Sequence, residues 1–455
     1  MCLVAAISPG APADAAPATP KIELGRSVGP PTTSTTLRGR GFGPSEVIDV
    51  TFDRASLRHA LTGSGGGFLT RIAVPATALP GPHTVEATGE SSGRSAQATF
   101  DVRTDWAKFH SDDANSGYNR LENVLSPSNV GSLQEAWSFQ VSLALEGSPV
   151  VAGGLLYVGS EDGNVYALDP TTGTQRWVFT SGGGLAMYTA PAVFHGVVYV
   201  SPGDGNLDAL DASTGDKLWS SYVGGTSRSS PAVANGVVYV GSLDGNVYAF
   251  DAATGARVWS FQTGSSVESS PAVVNGVLYV GTDAGGIYAL DASTGTKRWR
   301  FSTPASVLSS PAVANGAVYF GTLGDYVYAV NATTGHLGWR ANVQNQVWSS
   351  PAVANGAVFV GAYDQNVHAL DAFTGASLWT FHTASLITSS AAVANGVVYA
   401  GSTDGNLYAL DEAAGTELWS FSTGDTIDAS SPAVANGMVY VGAAESAALY
   451  GFALP

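Results

Sequence analysis

The stretch that begins at Ser229 alternates short apolar runs with polar breaks. Its runs "SSPAVA", "GVVYVGS", "NVYAFDA" and "ARVWSFQ" are punctuated by Asn235-Gly236, Asp244-Gly245 and Thr254-Gly255. Runs of this length, rich in Val and Tyr and bounded by such dipeptides, predict β-strands. Asn-Gly and Asp-Gly supply the positive φ angles that tight hairpin turns need. "VVYVG" is apolar almost without a gap, as in a strand buried on both faces. No segment shows the i, i+3, i+4 spacing of an amphipathic helix, so the expected class is all-β.

The four-run unit recurs. Trp137, Trp177, Trp219, Trp259, Trp299, Trp339, Trp379 and Trp419 are 40, 42, 40, 40, 40, 40 and 40 residues apart. A proline keeps step at Pro149, Pro191, Pro231, Pro271, Pro311, Pro351 and Pro432, with Ala391 at the remaining position. Four antiparallel strands per period of about 40 residues is the arithmetic of a β-propeller blade, and the markers count eight blades. The last copy, residues 431–453, stops before a tryptophan strand, whereas "LQEAWSFQ" around Trp137 precedes the first "SPVV". This early strand is expected to complete the last blade, which removes the open sheet edges. The propeller is thus placed at 133–455, behind a lead-in at 104–132.

Residues 22–103 have another texture. "TTLRGRGFGPSEVIDVTFD", "GGFLTRIAVPATALPGPHTVEATGE" and "SAQATFDV" predict some seven short strands between Gly/Pro turns, enough for a small immunoglobulin-like β-sandwich. The segment "GRGFGPSEVIDV" from Gly39 to Val50 resembles the start of IPT/TIG-like and related bacterial Ig-like modules.

Composition narrows the function. The chain has 19 basic residues and a net charge of −17, with no basic run, which excludes a phosphate backbone as the expected partner. Cys2 is the sole cysteine, so neither an internal disulfide nor a cysteine-built zinc site is possible. Residues 1–21, "MCLVAAISPGAPADAAPATPK", have a short apolar stretch and then Ala13-Asp14-Ala15. That pattern reads as the tail of a secretory signal peptide, or else as a disordered Ala/Pro leader. The first reading predicts a secreted or cell-envelope protein. No run of 18 apolar residues is present to span a membrane.

The unit "SxDGNVYAxDAxTGxxxWxF", as in "AFDAATGARVW" from Ala249 to Trp259, resembles the repeat of pyrroloquinoline-quinone (PQQ)-type propellers over residues 105–453. The resemblance implies that each of the eight tryptophans packs against the neighbouring blade. The lead-in and first tryptophan strand, Asp105 to Phe139, are similar to the opening of quinoprotein propellers. No Trp-Asp dipeptide supports the WD40 alternative. Within the resembled family, methanol and alcohol dehydrogenases bind PQQ and calcium over the central channel. The outer-membrane assembly lipoprotein shares the blades and binds protein partners without a cofactor, so fold alone does not choose.

The dehydrogenases commonly carry a vicinal cysteine pair, which this chain cannot form. Six of its seven tryptophan spacings are identical, leaving few insertions to build an active-site funnel. Sites appear where a repeat departs from its consensus. Here the departures fall just before each "SSP": Glu146, Tyr188, Arg228, Glu268, Leu308, Trp348, Thr388 and Ala429, with Asp428 beside the last. In the resembled family these positions precede the channel-lining strand, so they are expected to ring one channel mouth. Glu146, Tyr188, Arg228, Glu268, Trp348 and Asp428 are the candidate binders of a protein or small polar ligand. The plainer alternative is a rim around a water-filled hole.

Other polar residues read as structural. Asp162, Asp204, Asp244 and Asp404 each sit alone in a hairpin turn, whereas calcium needs several converging carboxylates. Asp211, Asp251, Asp291 and Asp371, with Asn331 in the same slot, are expected to bond their own turns. His195 and His368 occupy Asn and Tyr slots of the repeat, and no nucleophile elbow or phosphate loop occurs. The expected function is a non-catalytic, exported binding or scaffolding propeller without cofactor. The alternative is a PQQ- and Ca²⁺-dependent quinoprotein dehydrogenase acting on an alcohol or sugar.

Overall fold

The computed structural model describes residues 19–182 and 185–455. Most of the expected leader, with Cys2, lies outside the described residues. The described residues form two compact units, one ending at Arg103 and one beginning at Thr104.

Among its described residues the first unit has two sheets. Lys21–Leu24, Ser34–Arg40 and Phe68–Ala73 form one, and Val28–Gly29, Ser95–Val102, Gly81–Gly89, Val47–Phe52 and Ala55–Leu61 the other. Strand Val47–Phe52 alternates strictly, so Ile48, Val50 and Phe52 enter the core beside Leu37, Val85 and Phe100. Eight strands stand where seven were expected, because the two-residue Val28–Gly29 adds itself in parallel to Ser95–Val102.

The second unit contains, among the described residues, eight sheets of four antiparallel repeat strands. In the copy that begins at Ser229 these are Ala232–Ala234, Val237–Gly241, Asn246–Asp251 and Arg257–Gln262. Asn235 and Gly236 both take positive φ, 51° and 77°, as the first hairpin requires. The first strands of successive sheets lie side by side, and the series closes from Ala433–Ala435 back to Val150–Ala152. Strand Gln134–Gln140 pairs with Ala448–Ala453, placing Trp137 opposite Gly451 in the sheet that also holds the last two repeat strands.

Each tryptophan ties its sheet to the next. Trp177, Trp219, Trp259, Trp299 and Trp339 donate Nε1 to the carbonyls of Ala212, Ala252, Ala292, Ala332 and Ala372. Trp379 reaches Glu412, Trp419 reaches Leu133 and Trp137 reaches Pro170, so the links also run full circle. The Thr-Gly glycine lies beneath the indole. A Cβ on Gly255 would stand 2.6 Å from Trp219 Cε3, at a φ of +70°. The tyrosine of the second strand joins in: Tyr157, Tyr199, Tyr239, Tyr279 and Tyr319 donate to those same alanine carbonyls. Period-40 sequence therefore becomes period-40 docking.

The lead-in crosses the inside of this ring. A first strand that faces a channel leaves backbone groups needing partners. Trp106 exchanges two backbone hydrogen bonds with Val151. The amides of Val193, Val273, Val313, Val353 and Val393 donate to carbonyls of Ala107, Asp113, Ala114, Ser116 and Gly117. The carbonyls of Val233 and Val434 accept from Lys108 Nζ and Asn119 Nδ2, each at 2.8 Å. One segment thus bonds the same valine of all eight inner strands and fills the channel at that level.

Candidate functional site

The doublet "SSP" divides its labour. The first serine braces its own sheet: Ser269 Oγ accepts from Gly281 N and donates to Gly281 O. The second serine faces the neighbour. The amides of Ala190, Ser230, Ser270, Ser310, Ser350, Ser390 and Ser431 each donate to the hydroxyl of the following copy, at 2.8–3.1 Å. The series runs from Ala190 through to Ser148. Ala190 has no hydroxyl to continue it.

These serines line a cavity of about 300 Å³ at one end of the channel. Around it stand Glu146, Tyr188, Arg228, Glu268, Leu308, Trp348, Thr388 and Ala429, with Asp428. The structure brings all the proposed mouth residues together. Phe109 of the lead-in also lines the cavity, so the hole ends in protein instead of running through as open water.

The lining is divided chemically. Arg228 lies 3.7 Å from Glu268, and its guanidinium sits over the Tyr188 ring at 5.2 Å. Trp348, 38% exposed, stacks on Tyr363 with centroids 5.8 Å apart and planes 12° from parallel. Glu146 is pushed up to about 7, first by burial and then by the charges of Glu161 and Asp428. Burial and the charge of Glu268 raise Asp283 to about 6.

Sequence reasoning missed Glu161, Asp283 and Tyr363. Each stands fifteen residues after a mouth residue, Glu146, Glu268 and Trp348 respectively, at a position that also varies between copies. In each case the two residues of the pair interact. Glu161 raises Glu146, Glu268 raises Asp283, and Tyr363 stacks on Trp348. A second column of variable letters was the available signal.

The remaining candidates lie elsewhere. Asp211 Oδ1 accepts from the amides of Ser213 and Thr214, and Asn331 Oδ1 from those of Thr333 and Thr334. Asp162 Oδ1 accepts from Asn164 N, and its Oδ2 from the Tyr166 hydroxyl. His368 takes that tyrosine's role, with Nε2 at 2.9 Å from Asp364. His195 holds the positive φ of its turn, 49°. Among the described residues no three His, Cys, Asp or Glu side chains converge as a metal site, and no helix is long and apolar enough to cross a membrane.

Comparison with known proteins places this architecture. Over 77 residues the chain is 34% identical to the quinohemoprotein alcohol dehydrogenase of Comamonas testosteroni, a match spanning 16% of this chain and 11% of that protein. The crystal structure of that dehydrogenase superposes with a TM-score of 0.69 at 19% identity, over 77% of this chain and 80% of the other. BamB of Moraxella catarrhalis superposes at 0.60 and 20% identity, over 70% of this chain and 97% of that one. Likeness at such identity establishes the fold, a β-propeller, and leaves activity open. The family described as outer membrane protein assembly factor BamB matches residues 122–248, 243–325, 307–420 and 364–453. Since these matches cover most of the chain, it belongs to that family of PQQ-like propeller repeats.

Proposed function

We propose that this chain is a non-catalytic binding module: an eight-bladed propeller that recognises its ligand or partner at the channel mouth. Residues 22–103 would serve as an immunoglobulin-like companion domain. The observation that carries the reading is the contrast between uniform blades and a mouth whose eight positions carry seven different residue types, with Phe109 also in the lining. An extracytoplasmic setting accords with the outer-membrane assembly role in the family's description.

The dehydrogenase alternative asks the mouth to hold a quinone bearing three carboxylates. The lining offers it one cation, Arg228, already beside Glu268, against the carboxylates of Glu146 and Asp428. The vicinal cysteine pair is missing from the sequence, and no carboxylate set converges on a metal position among the described residues. This donor set does not fit the cofactor.

The test is direct. Purified protein is titrated with PQQ and Ca²⁺ and assayed for alcohol-dependent dye reduction, with none expected. In parallel it is used to capture proteins and small molecules from envelope and secreted fractions. A species retained by the wild type should be lost with Tyr188→Ala/Trp348→Ala. Dye reduction that disappears with Glu268→Ala, or a capture profile indifferent to the mouth substitutions, would overturn the reading.

A further inference from the structure

We propose that the channel mouth binds a small organic cation, an alkylammonium or guanidinium that lies on the Trp348–Tyr363 pair and faces Glu146 and Asp428. The inference rests on the mouth being the binding site and names the class of ligand it takes.

Three observations converge. The first is the charge balance: three carboxylates in the lining, Glu146, Glu268 and Asp428, face a single guanidinium. Arg228 is engaged with Glu268 and Tyr188, and among the influences on Glu146 it is the smallest. A cation entering from outside would relieve repulsion already present among these side chains. The second is the indole of Trp348, partly exposed and braced flat by Tyr363. An aromatic face attracts cations, and tryptophan does so best. The third is the cavity's size, about 300 Å³, which suits a small molecule and not a folded segment. Hydrated calcium would gain nothing from the stacked aromatic pair, and a carboxylate ligand would meet like charge.

Binding should depend on pH. The charged and titratable groups acting on Glu146 are Glu161, Asp428 and Arg228, with Glu268 and Tyr363 further around the mouth and Asp283 under the influence of Glu268. A cation favours ionised Glu146, so its affinity falls as pH drops below the range where that carboxyl titrates, and binding near neutrality releases protons.

Calorimetry with choline chloride and with agmatine, at constant ionic strength, tests this on the full chain, with sodium citrate and calcium chloride as rivals. At least one cation should bind at pH 8 and weaken about tenfold by pH 5.5, as expected for loss of one ionised partner. Trp348→Ala should weaken it about fivefold or more, Trp348→Phe less, and Glu146→Gln should flatten the pH profile. Melting curves confirm that the variants are folded. No binding of either cation at about 10 mM, tighter binding of citrate or calcium, or cation binding indifferent to Trp348→Ala would each overturn the proposal. If those fail while fraction capture still depends on Tyr188 and Trp348, the cation falls and the mouth stands as the site. If capture is indifferent too, both fall.

Discussion

Two glycines with nearly the same backbone angle separate a turn's demand from a docking demand. Gly255 has φ +70° and lies under Trp219, where a Cβ would meet Cε3 at 2.6 Å and Cδ2 at 2.7 Å. Gly276 has φ +74°, and a Cβ there meets nothing within 4 Å. Gly276→Ala should therefore cost only the left-handed backbone penalty, about 1–2 kcal/mol. Gly255→Ala incurs the same penalty and also forces the indole or the turn aside. That turn carries Ala252, whose carbonyl accepts from both Trp219 and Tyr199, and Ser221 bonds the Gly255 carbonyl at 2.6 Å. Overpacking of this kind adds about 1–3 kcal/mol. Urea unfolding followed by tryptophan fluorescence should order the midpoints wild type, Gly276→Ala, Gly255→Ala. Equal midpoints for the two variants would refute the claim that the glycine exists to seat the neighbouring tryptophan.

Two further outcomes follow from the mouth. Ala190→Ser places a hydroxyl where the serine series stops, to accept from Ser148 N, and should stabilise by about 0.5–1.5 kcal/mol; a lowered melting temperature would show that the hydroxyl does not reach the amide. Glu146 is held protonated to about 7 in the fold against 4.5 when unperturbed, so the folded state binds the extra proton and stability falls as pH rises between those values. Glu146→Gln should then stabilise on the order of 1–2 kcal/mol at pH 8, a figure reduced for the side chain's partial exposure, and should change little at pH 4. A gain that is equal at both pH values would contradict that origin.

The repeat made most of the propeller legible because a period of 40 residues maps equal letters to equal places. Arg228 and Glu268, forty residues apart, come within 3.7 Å because each stands at the same point of adjacent sheets. That mapping, joined to the family resemblance that says which strand lines the channel, is what gathers these residues around one cavity. It had no purchase on the lead-in, which occurs once and bonds the ring mainly through backbone atoms that no side-chain pattern reveals. The need for it was nevertheless implicit. Eight inner strands expose amides and carbonyls to the channel, and such groups must find partners. The non-repeating, polar "HSDDANSGYNR" from His110 to Arg120 was the available supply. Its placement changes the chemistry of the site. A through-channel would let bulk water screen Glu146 from both sides, whereas a floor at Phe109 removes one of them and strengthens every charge–charge term at the mouth. In the proposed reading, the lead-in beneath the mouth is consequently what would give a ring of variable rim residues its electrostatic preference.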